Sequence, residues 1–87
     1  MFTKDPDAEL DYRRDWSKWL PEGDTIETST WLVPDGITSE SESHDDTTAT
    51  IWLSGGTVGQ SYEITNRITT TEGRTDDRTF TVAIRNL

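Results

Sequence analysis

Few residues in this chain are able to carry chemistry, and their spacing limits what they can do. The single histidine, His44, is followed by Asp45 and Asp46. An imidazole beside two carboxylates can bind a metal or act as a base. No second histidine and no cysteine completes a ligand set, so the trio reads as a solvated turn. Asp5, Asp7, Glu9 and Asp11 put a carboxylate at every second position, as a calcium loop does. Such a loop needs Gly at its sixth position and Glu at its twelfth, where this chain has Leu10 and Trp16. Ser54-Gly55-Gly56 has the small residues of an anion cradle, but no helix follows it to lend a dipole. There is no Gly-x-Ser-x-Gly elbow and no phosphate-binding loop. Carboxylate pairs for glycoside chemistry need a cleft that raises one pKa, which a thin sandwich does not offer. The reading is of a non-enzymatic chain with no catalytic residue, no metal and no cofactor.

What remains is contact chemistry. Arg74, Asp76, Asp77 and Arg78 cluster after a turn, where opposite charges can lace the turn together or form a polar patch for a partner subunit. Trp52 lies between Ile51 and Leu53. If those two are buried, Trp52 points outward, and a lone exposed Trp is a candidate interface anchor. The alternative is that the first strand or the N-terminal segment covers it. These five residues are the candidate protein-interface set.

The elements that hold them follow from periodicity. Tyr62, Ile64 and Ile68 fall on even positions and alternate with Glu63, Thr65, Arg67 and Thr69. Phe80, Val82 and Ile84 repeat the pattern on the return. Period-2 alternation marks strands with one buried face. Opposed residues of an antiparallel pair share a face. A two-residue turn would set even positions against odd ones. A loop of Thr71, Glu72 and Gly73 keeps the apolar faces together and puts Gly73 at the left-handed position. That predicts Ile64 opposite Phe80 and Tyr62 opposite Val82. Asn66 falls on the inner face and needs hydrogen-bond partners there.

Upstream, Met1 to Ala8 is polar and reads as a flexible arm that orders on a partner. Leu10 and Tyr12 begin a first strand, and Trp16 to Leu20 suits a short helical turn. Thr25 to Val33 is a strand in which Ile26 and Trp31 differ in parity, so a bulge near Thr28–Thr30 is expected, unless Leu32 faces inward instead. Ile37 to His44 is Ser-rich and acidic, which suits an edge strand. Thr47 to Leu53 carries Ala49, Ile51 and Leu53 on one face. The organisation expected is an arm over 1–8 and a single immunoglobulin-like β-sandwich over 9–87. The class is all-β with about six or seven strands.

Composition agrees with that class. The 87 residues allow one small core. Hydrophobic residues make up 30%, but each buried aromatic removes about 150–250 Å² from water. Seventeen acidic against eight basic side chains leave a net charge of −9, which argues against binding nucleic acid or an anionic membrane. Without cysteine there is no disulfide framework. The longest apolar runs, such as Trp31-Leu32-Val33, are too short for a transmembrane helix or a signal peptide.

Several segments together resemble small tailed-bacteriophage proteins of the fibre–tail adaptor type. They are Asp5-Pro6-Asp7-Ala8, Leu10-Asp11-Tyr12, Asp15-Trp16-Ser17 and Trp19-Leu20, then Thr25-Ile26, Ser29-Thr30-Trp31, Val33-Pro34 and Gly36-Ile37. Thr50 through Gly56 and Asn66-Arg67-Ile68-Thr69-Thr70 with Gly73-Arg74-Thr75-Asp76-Asp77-Arg78-Thr79 complete the likeness, which covers roughly 5–84. Arg14 departs from it, standing where an aromatic is usual. The resemblance implies a virion structural protein, made in the host bacterial cytoplasm and present in multiple copies per particle. Its partners would be other virion proteins: tail fibre, tail or neck, and in a variant reading as a capsid decoration protein, capsid subunits. The resemblance brings no catalytic residue. A carbohydrate- or ion-binding module using exposed aromatic and acidic groups is the rival from another class.

Overall fold

A computed structural model describes residues 1–87. It contains seven strands: β1 (Phe2–Lys4), β2 (Leu10–Asp15), β3 (Ile26–Leu32), β4 (Ile37–His44), β5 (Thr48–Gly55), β6 (Ser61–Thr70) and β7 (Thr75–Ile84). They form a four-stranded sheet, β1-β7-β6-β3, and a three-stranded sheet, β2-β5-β4. The all-β sandwich expected from the alternation is what the chain forms. There is no helix; at Trp16 the amides of Trp19 and Leu20 donate to one carbonyl, at 2.9 and 3.0 Å, and close a single turn.

The β6–β7 hairpin has the register that its apolar faces require. Ile64 stands opposite Phe80 and Tyr62 opposite Val82. Thr70 and Arg74 close the loop, with the Thr70 amide donating to the Arg74 carbonyl at 2.7 Å. Gly73 turns the chain at φ 88°, a conformation that costs glycine nothing. The inner face of this hairpin meets Tyr12, Ile37, Ala49, Ile51 and Leu53 of the facing sheet to make the main core. A second cluster, Trp16, Ile26 and Ile68 with Trp19 and Leu20 against it, fills the end near the loop. Asn66 is buried between the clusters and satisfied. Its Oδ1 accepts from Trp16 Nε1 at 2.8 Å, and its Nδ2 donates to Ser29 Oγ at 2.9 Å and to the Thr30 carbonyl at 3.3 Å.

Two regions differ from expectation. The irregularity in β3 falls between Ile26 and Thr28, at Glu27 and not at Thr28–Thr30. It still turns both Ile26 and Trp31 inward and leaves Leu32 outside. At the N-terminus, Phe2–Lys4 is a strand, paired parallel to Val82–Ile84 of β7. Polarity alone suggested a free arm there. Phe2, however, sets its ring edge-on against Tyr12 and Phe80, with centroids 5.1 and 5.3 Å away. Lys4 is fully buried, and its ammonium donates to the carbonyls of Asp5 and Gly55 at 2.9 and 2.8 Å. Backbone acceptors therefore compensate a cation that would otherwise be too costly to bury.

Candidate interaction surface

Because Ala49, Ile51 and Leu53 are buried on the core side of β5, Trp52 has to face out. It stands opposite Asp11 of β2 and Ser41 of β4, in the middle strand of the three-stranded sheet. Thr50 and Ser54 share its face, and Ser54 donates its hydroxyl to Glu40, the residue bulged out of β4. Arg13 lies on the same face, 3.7 Å from Asp11. Trp52 keeps 39% of its surface exposed. This face is polar, with a single large aromatic at its centre.

The Arg74–Arg78 group lies on the other sheet, and most of its charge is already paired. Arg74 donates to Asp24 at 2.9 Å and reaches Glu72 at 3.4 Å. Arg67 forms a two-pronged bond with Asp77, directly opposite it, at 2.9 and 3.0 Å. Arg78 bonds Asp76 and lays its guanidinium over the Trp16 ring, 4.9 Å from the centroid. The carboxyl of Asp77 is held below the ordinary carboxylate value by Arg67. That of Asp76 is held down first by the Asp77 amide and then by Arg78. Such pairs fix the hairpin end and leave little free charge for a ligand.

The same residues guard a strand edge. β1 covers only the last three residues of β7, leaving Thr75–Thr81 without a neighbour on that side. In an antiparallel ladder, alternate residues point both backbone groups the same way. Arg74 and Ile84 bond toward β6, so Asp77 points its amide and carbonyl outward. The carboxylate of Asp76 accepts from that amide at 2.8 Å, and Arg78 donates to that carbonyl at 3.1 Å. Side chains therefore occupy the groups that an added strand would use.

Asp24 is a residue that sequence reasoning passed over. It is buried, and its carboxylate accepts from the Thr25 amide, the Thr71 hydroxyl and the Glu72 amide as well as from Arg74. Burial pushes this carboxyl up, but the donors from Thr70, Thr71, Arg74 and Glu72 outweigh it and hold the pKa down. Its partners lie some fifty positions along the chain, and no local pattern announces them. Asp45, beside His44, is used locally: it accepts from the amides of Thr47 and Thr48 at 2.9 and 2.7 Å. The surface recess at His44 is lined by Ser29, Glu42 and Ser43 and holds about 50 Å³, against 300 Å³ or more for typical ligand sites.

The structure thus does not join the five candidate residues into one patch. Trp52 presents itself on the outer face of one sheet. Arg74, Asp76, Asp77 and Arg78 brace the hairpin of the other. A family model described as podophage GP4 fiber-tail adaptor protein gp77 matches residues 4–83. No curated protein matches the chain.

Proposed function

We propose that this chain, which belongs to the podophage GP4 fiber-tail adaptor family, joins tail fibres to the tail or neck of the virion by contact alone, without catalysis. The observation that carries the reading is the family match over nearly the whole chain. The architecture supports it. The only recess is too small for a substrate, so the useful surfaces are faces and edges. Trp52 is the docking anchor, a rigid aromatic on an outer sheet face, of the kind that dominates interface energetics. Arg74, Asp76, Asp77 and Arg78 border a second contact, where their mutual pairing makes the hairpin end a firm support. The chain acts as one sandwich and is present in several copies per particle.

Strand order supports an immunoglobulin-like reading of that sandwich. In chain order β2, β5 and β4 stand as B, E and D, while β7, β6 and β3 stand as G, F and C. The first strand departs from the constant-type arrangement by joining the G side. The functional test is genetic. Phage lacking this chain should assemble tails that carry no fibres, and the chain supplied in trans should restore them. Particles that keep a full set of fibres without it would contradict the proposal.

A further inference from the structure

Besides the three-residue β1, the sandwich leaves four strand edges open, and three of them carry a charged cap or a register shift. On β7, Asp76 and Arg78 cap the open stretch around Asp77. On β4, the bulge at Glu40 breaks the run and Glu42 adds a second charge. On β3, the register shifts at Glu27, which also places a charge on that edge. The edge of β2 differs. It pairs with β5 over all six residues with no register shift. No hydrogen bond reaches its backbone from the other side.

This edge also holds a cation without an ion pair; Lys18 and Arg85 lack one too, but they are exposed, whereas Arg14 is set partly inward. Arg67, Arg74 and Arg78 have carboxylate partners, and Lys4 is buried against carbonyls. Arg14, near the C-terminal end of β2, has no ion pair, and its Nε is buried without any hydrogen-bond partner. An inward-set cation at an edge repels an apolar strand, and a buried unpartnered donor is costly. One change removes both costs: a carboxylate arriving beside Arg14. Phe2 and Leu10, 46% and 40% exposed, add apolar contact at one end of the same edge.

We infer that the β2 edge is a strand-addition site for an extended, carboxylate-bearing segment of a partner virion protein, with Arg14 as the residue that selects it. Main-chain bonds to Leu10–Asp15 would supply affinity, and the Arg14–carboxylate pair would supply specificity. A second copy of this chain fits less well. Its acidic strand β4 is interrupted by a bulge, and each copy carries a net charge of −9. The inference rests on the adaptor reading, since it needs a virion partner.

The test compares the isolated protein with the protein in purified particles. Amide exchange at the β2 groups that point away from β5 should slow about ten-fold or more in the particle, while β4 amides keep their rate. Arg14→Glu, supplied to phage lacking the gene, should reduce the amount of chain per particle about ten-fold. Arg14→Lys should retain most of it, and both variants should melt near the parent temperature. Unchanged β2 exchange in the particle, or full incorporation of a folded Arg14→Glu chain, overturns the inference. So does self-association of the isolated chain that Arg14→Glu abolishes, which would assign the edge to a second copy. Absence of the parent chain from particles would instead remove the adaptor reading itself.

Discussion

A single carboxylate, Asp24, ties the loop before β3 to the tip of the β6–β7 hairpin. Its folded pKa lies below the unfolded value of about 3.9. The stabilisation it brings is therefore complete above roughly pH 4 and is lost as pH falls through the folded pKa. Asp45, Asp76 and Asp77 are shifted in the same direction, so the sandwich should lose stability on the acid side. Asp24→Asn should lower the Tm by several degrees at pH 7 and flatten its decline below about pH 4. Melting curves between pH 2 and 7 for parent and variant check this. Parallel curves over the whole range would mean that the Asp24 charge plays no such part.

At the scale of the element, the hairpin was legible because two physical demands coincide in it. Alternation placed Ile64, Phe80 and Val82 inward, and the demand that they share a face fixed the loop length and the glycine. Asn66 was flagged as an inner polar residue by the same parity. The β3 bulge was legible as a need, since Ile26 and Trp31 differ in parity, but not as a position. Strand β1 was not legible. Three residues carry no period, and what holds them is the far surface of Tyr12 and Phe80 and a carbonyl of Gly55. Arg14 read only as a departure from a family pattern, because an unpartnered edge exists in three dimensions alone. Asp76 and Arg78 read as charges and proved to be caps on the backbone of Asp77.

Two predictions belong to these elements. Phe80 touches the rings of Phe2, Tyr12 and Trp31, so Phe80→Ala should cost about 3–5 kcal/mol. Thr81→Ala, on the outer face, should cost less than about 1 kcal/mol. Urea unfolding of the two variants measures the difference, and equal costs would contradict the register. Removing Met1–Lys4 takes Phe2 off the core and uncovers the end of β7. Phe2 alone accounts for about 1–2 kcal/mol, and each kcal/mol is worth roughly 4–8 °C in a domain of this size. A truncated chain that melts at the parent temperature would show that β1 is a passive tail.

As a whole, the molecule is an elongated sandwich, 43 × 20 × 19 Å, with its chemistry on the outside and a net charge of −9. Its long shape and the caps on the open stretch of β7 suit a part that spans a gap between larger bodies and meets only chosen neighbours. The β2 edge and the exposed Trp52 are where those neighbours are expected. The central claim is therefore about position, and an image reconstruction of the intact particle tests it most directly. The account predicts density for this sandwich at the junction of fibre and tail or neck, with the Trp52 face or the β2 edge against another virion protein. Density for the chain on the capsid surface, with none at that junction, would contradict it.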